Sequence, residues 1–215
     1  MAWDRLPEQA ACCVNPSSTL SVPLTAAGTG RRPRQVDQLR PHSRGAVRLR
    51  SADPSATPAV TFNYLGDARD VAELVEGYRT AQELLAQPAF DVFRGDMVLG
   101  VPPATAGSLK GVSDSEIEAW VRGSSGTDYH PCGTCRMGSD DDADERIVVD
   151  GKLRVRDMRG LYVVDASVMP AIVSGNLNAP TQMIAMKAAD IILGKPLMQP
   201  ERPRFHFDGA TSGSC

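Results

Sequence analysis

Hydrophobic and polar positions alternate in two short stretches of the chain, residues 46–50 and residues 59–64, which a proline-containing turn separates. A period of two residues is typical of strands that bury one face. The pattern therefore predicts two half-buried strands. Residues 1–34 show neither helical nor strand periodicity and are rich in Pro, Ser, Thr, Gly and Ala, so we expect a poorly ordered tail there.

Three other stretches have the apolar spacing of amphipathic helices. The first begins after Asp67 and is expected to pack on the sheet. Its apolar positions share one face: Val71, Leu74, Val75, Tyr78 and Leu85. The second follows Ser113, whose spacing to Glu116 is that of a capping box. The third runs from about residue 180 to residue 193, and Gly194 is expected to end it.

Smaller elements are expected between the second and third helices. Two strand-like runs within residues 147–155 flank Asp150-Gly151, a dipeptide that tolerates the positive φ angles of a tight hairpin. Residues 161–164 form a continuous apolar run that ends at Asp165. This is the pattern of a strand buried on both faces, with a functional loop at its carboxyl end.

The composition is that of a globular protein, with 215 residues, 42% hydrophobic, 23% charged and a net charge of -3. The negative net charge does not suggest a nucleic acid as a partner, and no apolar run is long enough to span a bilayer, so a membrane is not expected either. The N-terminus lacks the basic and apolar regions of a secretory signal, which predicts a cytoplasmic protein. The five cysteines are an odd count that does not suit a disulfide framework, so reduced thiols are expected.

No metal site is predicted, although two segments have some features of one. Residues 131–135 match half of a zinc-deaminase signature, but no histidine is followed two residues later by the required glutamate. A four-ligand zinc site would need a remote cysteine in addition to His130. The acidic run at residues 140–145 has Glu145 where a calcium loop needs glycine. A solvated acidic loop is the simpler interpretation.

Four linked blocks of sequence follow one another in the second half of the chain. They are residues 129–138 (Tyr-His-Pro-Cys-Gly-Thr-Cys-Arg-Met-Gly), 148–150 (Val-Val-Asp), 161–170 (Leu-Tyr-Val-Val-Asp-Ala-Ser-Val-Met-Pro) and 175–181 (Gly-Asn-Leu-Asn-Ala-Pro-Thr). Together they resemble the C-terminal signature of the glucose-methanol-choline (GMC) oxidoreductases over roughly residues 128–194. Residues 42–45, His-Ser-Arg-Gly, resemble the start of that family's C-terminal region.

The resemblance implies oxidation of a small-molecule alcohol with FAD as cofactor, and it places the family's catalytic base at His130. Such a reaction needs a group that takes the hydroxyl proton while a hydride leaves the carbon for the flavin. An imidazole is suited to accept that proton near neutral pH. The family's second catalytic polar residue falls at Asn178, whose amide is expected to position the substrate oxygen.

Further residues are expected, by the same resemblance, to contact the flavin. The loop that contains Asp165 and Ala166 is expected near the ribityl chain and the phosphates. The helix that begins near Pro180 has free N–H groups and a positive dipole end, which can face the pyrimidine edge where negative charge develops on reduction. The contacts expected around the start of this helix are Asn176, Ala179, Pro180 and Thr181.

The expected fold class is α+β, with four segments. Residues 1–35 are assigned to a disordered or non-family tail, and residues 196–215 to a loose tail. Residues 36–146 are assigned to part of a substrate-binding domain, with an antiparallel sheet and flanking helices. Residues 147–195 are expected to supply a strand and a helix that return to a truncated Rossmann-like FAD-binding domain.

The Rossmann-type unit with which this family begins is not found in the sequence. Gly28-Thr29-Gly30 has Pro33 at the third glycine position and no apolar strand before it, so it is not a dinucleotide fingerprint. We therefore expect residues 147–195 to expose apolar surface unless a missing FAD-binding half or another chain covers them. Two hypotheses stay open: a catalytic portion that is active only with that half, or a truncated fragment that binds no flavin and serves as an interaction module.

The substrate is less well defined than the reaction. The sequence Cys-Gly-Thr-Cys after His130 and Pro131 is similar to that of the choline dehydrogenases within the family. Aromatic residues make up only 5% of the chain, and no aromatic cage for a quaternary ammonium group is identified. We therefore expect a primary alcohol, with the electron acceptor left open.

Overall fold

The computed structural model describes residues 18–24, 32–92, 112–139, 143–196 and 198–201. Its architecture is α+β, with short strands near the start and three helices. The strands are β1 (Ser18–Leu24), β2 (Arg32–Gln38), β3 (Ala46–Arg48) and β4 (Ala59–Thr61). The helices are α1 (Ala68–Leu85), α2 (Asp114–Ser124) and α3 (Asn178–Ile192). Short 3₁₀ helices are formed by Pro88–Phe90 and Ala166–Val168.

The strands form two antiparallel pairs, β1 with β2 and β3 with β4. The β3–β4 pair, in which Ala46 lies opposite Thr61, confirms the two predicted strands in shorter form. The β1–β2 pair was not predicted: Ser18–Leu24 and the start of β2 lie within residues 1–34, where the sequence predicts a poorly ordered tail. The strand β2 is mostly polar, so it shows no apolar alternation. Its Val36 packs against the helical core instead, which supplies the stabilisation that the local pattern lacks.

A first apolar core forms where α1 and α2 pack together. Its buried members are Leu74, Tyr78, Ile117 and Val121, and the rings of Tyr78 and Trp120 lie 5.6 Å apart. Both helix starts are confirmed: the Asp67 side chain caps α1, and Ser113 and Glu116 form the capping box of α2. The helix α1 thus packs on α2 as well as on β2. Leu85 was predicted to lie on the apolar face of α1, but its side chain is outside the described part of the structure.

The predicted hairpin at residues 147–155 is present, but its turn differs from the expected one. Val149 bridges Val155, and the N–H of Asp150 donates to the carbonyl of Arg154 at 3.0 Å. The positive φ lies at Leu153, at 65°, and Gly151 is not in the left-handed region. The carboxylate of Asp150 accepts from the N–H of Lys152 at 2.8 Å, so the turn is stabilised by an aspartate side chain rather than by a flexible glycine.

Residues 161–164 do not form the doubly buried strand that the apolar run predicts. Arg154 forms a single antiparallel bridge with Tyr162, and Leu161 is 45% exposed. Among the described residues, the hairpin pairs with this segment along one edge, through bonds such as Val163 N–H to the carbonyl of Leu153 at 3.1 Å. Because the Leu161 side chain remains in contact with solvent, the expectation of burial on both faces is wrong for this segment.

The third helix carries a buried face and an apolar exposed face. Ala188 is 1% exposed and packs with the hairpin and Val168, and Ile184 packs there too. The predicted end is confirmed, since Gly194 has a φ of 64°, whereas the helix begins at Asn178 rather than at residue 180. Apolar side chains on or after α3 remain exposed, as expected for residues 147–195: Met183, Met186, Ile192 and Leu193. Within the described ranges, no helix is both long and apolar enough to cross a bilayer.

Candidate active site around His130

The backbone on both sides of His130 is conformationally restricted. Tyr129 has a φ of 62°, a left-handed conformation that costs energy for a residue with a side chain. The N–H of Tyr129 donates to the hydroxyl oxygen of Thr127 at 3.0 Å, which helps to hold this conformation. Pro131 follows, and its ring restricts the residue before it. The half-buried imidazole therefore projects from a short, well-defined segment.

Cys132 anchors this segment in a second apolar core. It is 2% exposed and belongs to a buried cluster with Met169, Ile172 and Leu177. Leu177 immediately precedes α3, so the cluster joins the loop around His130 to the start of that helix. The sequence predicts this cysteine as a thiol without a metal, and a small apolar anchor is a common use of a buried cysteine.

Backbone hydrogen bonds align the rest of the loop with the 3₁₀ helix at residues 166–168. Gly133, Cys135 and Met137 donate their N–H groups to the carbonyls of residues 166, 167 and 168 at 3.4, 2.9 and 2.8 Å. On its other side the loop pairs with the hairpin, where Gly138 N–H donates to the carbonyl of Val149 at 3.1 Å. The loop is thus held between two segments that precede α3 in the chain.

The imidazole of His130 meets the side chain of Asn176. Its Nε2 lies 3.3 Å from Oδ1 of the asparagine, across 46 residues of sequence. Asn176 is exposed and His130 is half-buried, so the pair lies at the surface of the described residues. An acceptor of this kind can fix the orientation of an imidazole, since the ring nitrogen that faces it must carry the hydrogen.

Asn178, the other asparagine of this segment, has a different partner. Its Oδ1 accepts a hydrogen bond from Nε2 of Gln182, one helical turn later, at 3.0 Å. The predicted second catalytic residue is therefore the first residue of α3, two positions after Asn176. Its amide is bonded within the helix, and the structure joins His130 to Asn176 instead.

The start of α3 leaves backbone donors available. Its N-cap residue Leu177 makes no side-chain cap, and the first intrahelical bond to its carbonyl comes from the N–H of Thr181 at 2.9 Å. Pro180 has no N–H, so the donors of the first turn are those of Asn178 and Ala179, which have no helical acceptor. Both residues are exposed, and such a helix end favours negative charge.

Asp165 and Ala166 lie where the loop meets the 3₁₀ helix. The carboxylate of Asp165 accepts from the N–H of Ser167 at 2.8 Å and from its hydroxyl. Asp165 is itself exposed. The carbonyl of Ala166 accepts from Gly133, so this residue supports the loop around His130 through its backbone.

Sequence reasoning assigned no site role to Arg44, which approaches the same loop. A cavity of about 30 Å³, large enough for one water molecule, is lined by residues that include Arg44, Cys132, Gly133 and Met169. The Nη1 of Arg44 also donates to the carbonyl of Pro41 at 2.7 Å. The approach of Arg44 to the His130 loop could have been anticipated from one signal. Residues 42–45 resemble the start of the family's C-terminal region, which predicts that they belong to the same structural unit as the loop.

Arg136, near the C-terminal end of the His130 loop, belongs to an ion-pair network with Asp144 and Arg146. The hydrogen bond from Arg146 lowers the pKa of Asp144 well below its ordinary value, and Arg136 lies 3.5 Å from the same carboxylate. This links Arg136 to the segment before the hairpin. In the described part of the chain, no group of three His, Cys, Asp or Glu side chains has the arrangement of a metal site.

Comparison with known proteins agrees with the motif assignment. A family model described as GMC oxidoreductase matches residues 41–185. An oxygen-dependent choline dehydrogenase of Burkholderia multivorans is 46% identical over 176 residues, and the alignment covers 81% of this chain and 29% of that protein. The oxygen-dependent choline dehydrogenase 1 of Chromohalobacter salexigens is 42% identical over 171 residues, covering 80% of this chain and 29% of that protein.

Solved structures share the same architecture. A pyridoxine 4-oxidase from Mesorbium loti has a TM-score of 0.65 at 26% identity, covering 85% of this chain and 35% of that one. A fungal aryl-alcohol oxidase has a TM-score of 0.62 at 32% identity, covering 79% of this chain and 26% of that one. The chain thus spans less than a third of the length of the curated relatives described here. It belongs to the GMC oxidoreductase family, whose C-terminal region it carries.

Proposed function

We propose that this chain supplies the proton-accepting and substrate-binding part of an FAD-dependent alcohol oxidation. The observation that carries the proposal is the placement of the His130 ring beside Asn176, just before the uncapped start of α3. Family membership supports the reaction class, since the chain matches the family over residues 41–185.

In this proposal His130 receives the hydroxyl proton of the alcohol. The imidazole is half-buried and held by a restricted backbone, so little ordering is needed when a substrate binds. Asn178 is proposed to orient the substrate oxygen, which requires its amide to exchange Gln182 for the substrate. One hydrogen bond between neutral groups contributes only about 1 kcal/mol, so this exchange is inexpensive.

The residues present fit a flavin. The N–H groups of Asn178 and Ala179 have no helical acceptor, and the positive end of α3 would stabilise negative charge on the pyrimidine edge. Asn176 and Thr181 flank these N–H groups. Pro180 has no N–H to donate, so its ring is proposed to contact the flavin only by packing. Asp165 and Ala166 are proposed to line the ribityl side. Bound FAD would accept the hydride that leaves the alcohol carbon.

The chain is proposed to contribute to two domains and to need a partner that covers its exposed apolar surface. Residues 36–146 are proposed as the substrate-binding portion and residues 147–195 as the segment that completes an FAD-binding domain, with residues 1–35 and 196–215 outside both. The exposed apolar side chains of α3, among them Met183 at 65% and Met186 at 69%, are proposed to be covered by an FAD-binding half. The alternative is a fragment that holds no flavin and acts as an interaction module.

Choline is the first substrate to test, because the relatives with the printed name choline dehydrogenase are 42% and 46% identical to this chain. The functional group that His130 would act on is a primary alcohol, which choline carries. A simple primary alcohol without the trimethylammonium group serves as the comparison. Preference for choline over that compound would define the substrate class within alcohols.

The experiment combines the chain with the FAD-binding portion of a choline dehydrogenase by co-expression. We expect a yellow complex that reduces an acceptor dye when an alcohol is added, and a loss of roughly 100-fold to 10,000-fold in rate for His130→Ala. His42→Gln is the matched control, since His42 pairs with Glu73 at an exposed site and its replacement should leave the rate unchanged. A fully active His130→Ala complex would exclude the assigned base. Near-stoichiometric flavin on the chain purified alone would exclude the fragment alternative.

A further inference from the structure

We propose that the small cavity beside the His130 loop is a binding site for one monatomic anion such as chloride. The cavity lies where segments far apart in the sequence meet, among them the segment before β3, the loop at residues 129–138 and residues 169–171. A bound anion would therefore hold these segments together. The site consists of this chain's own residues and requires no flavin, so it goes beyond the proposed function.

Positively charged side chains surround the cavity. Of the described residues that line it, three carry a guanidinium group and none carries a carboxylate: Arg44, Arg136 and Arg146. A guanidinium is not deprotonated in proteins, and a charge that is withdrawn from water is costly unless an opposite charge lies close to it. An anion in the cavity would supply negative charge to all three side chains at once.

The carboxylate of Asp144 is shared unequally by two of these arginines. Arg146 binds it through two hydrogen bonds, from Nε at 2.8 Å and from Nη2 at 2.7 Å. The Nη1 of Arg136 lies 3.5 Å from the same carboxylate, which is longer than a normal hydrogen bond. Arg136 is therefore the arginine to which Asp144 is bound less closely.

Arg136 also has a buried hydrogen-bond donor that lacks an acceptor. Its Nε is inaccessible to solvent, and no acceptor contacts it within the part of the chain that the structure describes. Native proteins rarely leave such a donor unsatisfied, because its desolvation is then not compensated. A water molecule would accept this hydrogen bond. An anion would accept it and also oppose the charge of the guanidinium, so the anion is favoured.

The size of the cavity determines the class of anion. Its volume of about 30 Å³ accommodates one particle of roughly the size of a water molecule. Chloride and bromide are single atoms on this scale. Phosphate and sulfate carry four oxygens around a central atom and are too large for this volume. The cavity therefore suits a halide ion rather than a tetrahedral oxyanion.

The test is thermal unfolding of the full chain in sodium chloride and in sodium gluconate at equal ionic strength, since gluconate is too large for the cavity. In chloride we expect the midpoint of the parent to rise by roughly 2–4 °C and to saturate, as for a ligand that binds only the folded state. Arg136→Met should lose most of this rise, while Asp144 keeps its pairing with Arg146. Arg122→Met removes an equal charge from an exposed ion pair with Glu118 and should retain the rise.

Crystals of the parent chain soaked in bromide provide a measurement that does not require a variant to fold. We expect an anomalous scattering peak in the cavity, beside Nε of Arg136. Equal midpoints of the parent in the two salts would overturn the proposal, and so would bromide peaks at other places only. A full chloride-dependent rise in a folded Arg136→Met variant would also overturn it, as would an equal loss of the rise in Arg122→Met.

Discussion

The buried carboxylate of Asp70, in the first turn of α1, accepts hydrogen bonds from both the backbone N–H and the hydroxyl of Ser43, 27 residues earlier in the chain. The N–H of His42 donates to the same carboxylate at 2.6 Å, and the amide of Gln38 at 3.0 Å. One carboxylate therefore fixes the segment that leads from β2 to β3. Arg44, which follows Ser43, lines the cavity beside the His130 loop. The hydrogen bonds of Asp70 therefore connect α1 to the proposed active site.

Asp70→Asn should destabilise the chain by about 2–4 kcal/mol, because an amide cannot accept from all of these donors and leaves some of them unsatisfied in a buried site. Urea unfolding followed by circular dichroism measures the loss. Glu83→Gln on the exposed side of the same helix is the control and should change stability by no more than about 0.5 kcal/mol. Equal effects of the two substitutions would contradict the role of the network.

Acidification should weaken the fold below pH 3.8. Burial raises the pKa of Asp70, but hydrogen bonds from Ser43, His42 and Gln38 outweigh it and place the pKa below its ordinary value of 3.8. Burial also raises the pKa of Asp150, and bonds from Arg154 and Lys152 reverse that effect. A carboxyl with a lowered pKa in the folded state stabilises above its unfolded value and loses this contribution as pH falls through the folded value.

Urea midpoints measured from neutral pH down to pH 3 check this expectation. The parent chain should lose stability in the acid range, and Asp70→Asn should lose less, because the Asp70 carboxyl is no longer there to be protonated. An identical pH dependence in parent and variant would show that Asp70 does not contribute to it.

Gly45→Ala and Gly123→Ala should have opposite effects. A Cβ on Gly45 would lie 2.0 Å from the carbonyl oxygen of Thr61, a backbone atom of the paired strand β4, whereas a Cβ on Gly123 meets nothing within 4 Å. We expect Gly45→Ala to cost about 1–3 kcal/mol through displaced backbone. Gly123→Ala should stabilise the last turn of α2 by up to about 1 kcal/mol. Thermal unfolding of the two variants side by side measures both, and a neutral Gly45→Ala would contradict the close approach of residue 45 to β4.

Replacing Met183 and Met186 together by glutamate should reduce self-association of the chain without loss of folding. Both methionines are exposed on α3, and exposed apolar patches favour association. Sedimentation velocity over a range of concentrations measures the effect. Ala185→Glu adds a charge to an exposed position of the same helix without removing a large apolar side chain, and should have a smaller effect. Unchanged association in the double variant would show that this face is not responsible.

The helices could be predicted from the sequence because their information is local. The capping box at Ser113 and the stop at Gly194 are contained in a few neighbouring residues, and both are confirmed. The strand β2 could not be predicted in this way, since its polar sequence gains stability from packing of Val36 against distant helices. The apolar run at residues 161–164 predicted burial on both faces, but burial depends on neighbours that a local pattern does not specify.

The candidate site likewise combines features that the sequence predicts with features that depend on packing between distant segments. Motif resemblance selected His130 and the segment from residue 175 to residue 181, and the structure brings these together. Motif resemblance did not identify which asparagine contacts the imidazole of His130. Asn176 and Asn178 are only two positions apart, and the direction of each side chain depends on where α3 begins. The Arg44 contact also lay beyond local reasoning, since it arises from packing between segments far apart in the sequence.

The hydrogen bonds between the His130 loop and residues 166–168 join peptide groups, and the buried side chains of Cys132 and Val168 add apolar packing. Backbone hydrogen bonds do not depend on side-chain identity, so a position of the loop such as Thr134, whose N–H is in none of these three bonds, can change during evolution while the imidazole keeps its place. A lineage that acquires a new alcohol can therefore alter the wall of its pocket by point substitution, without first having to rebuild the scaffold that presents the base.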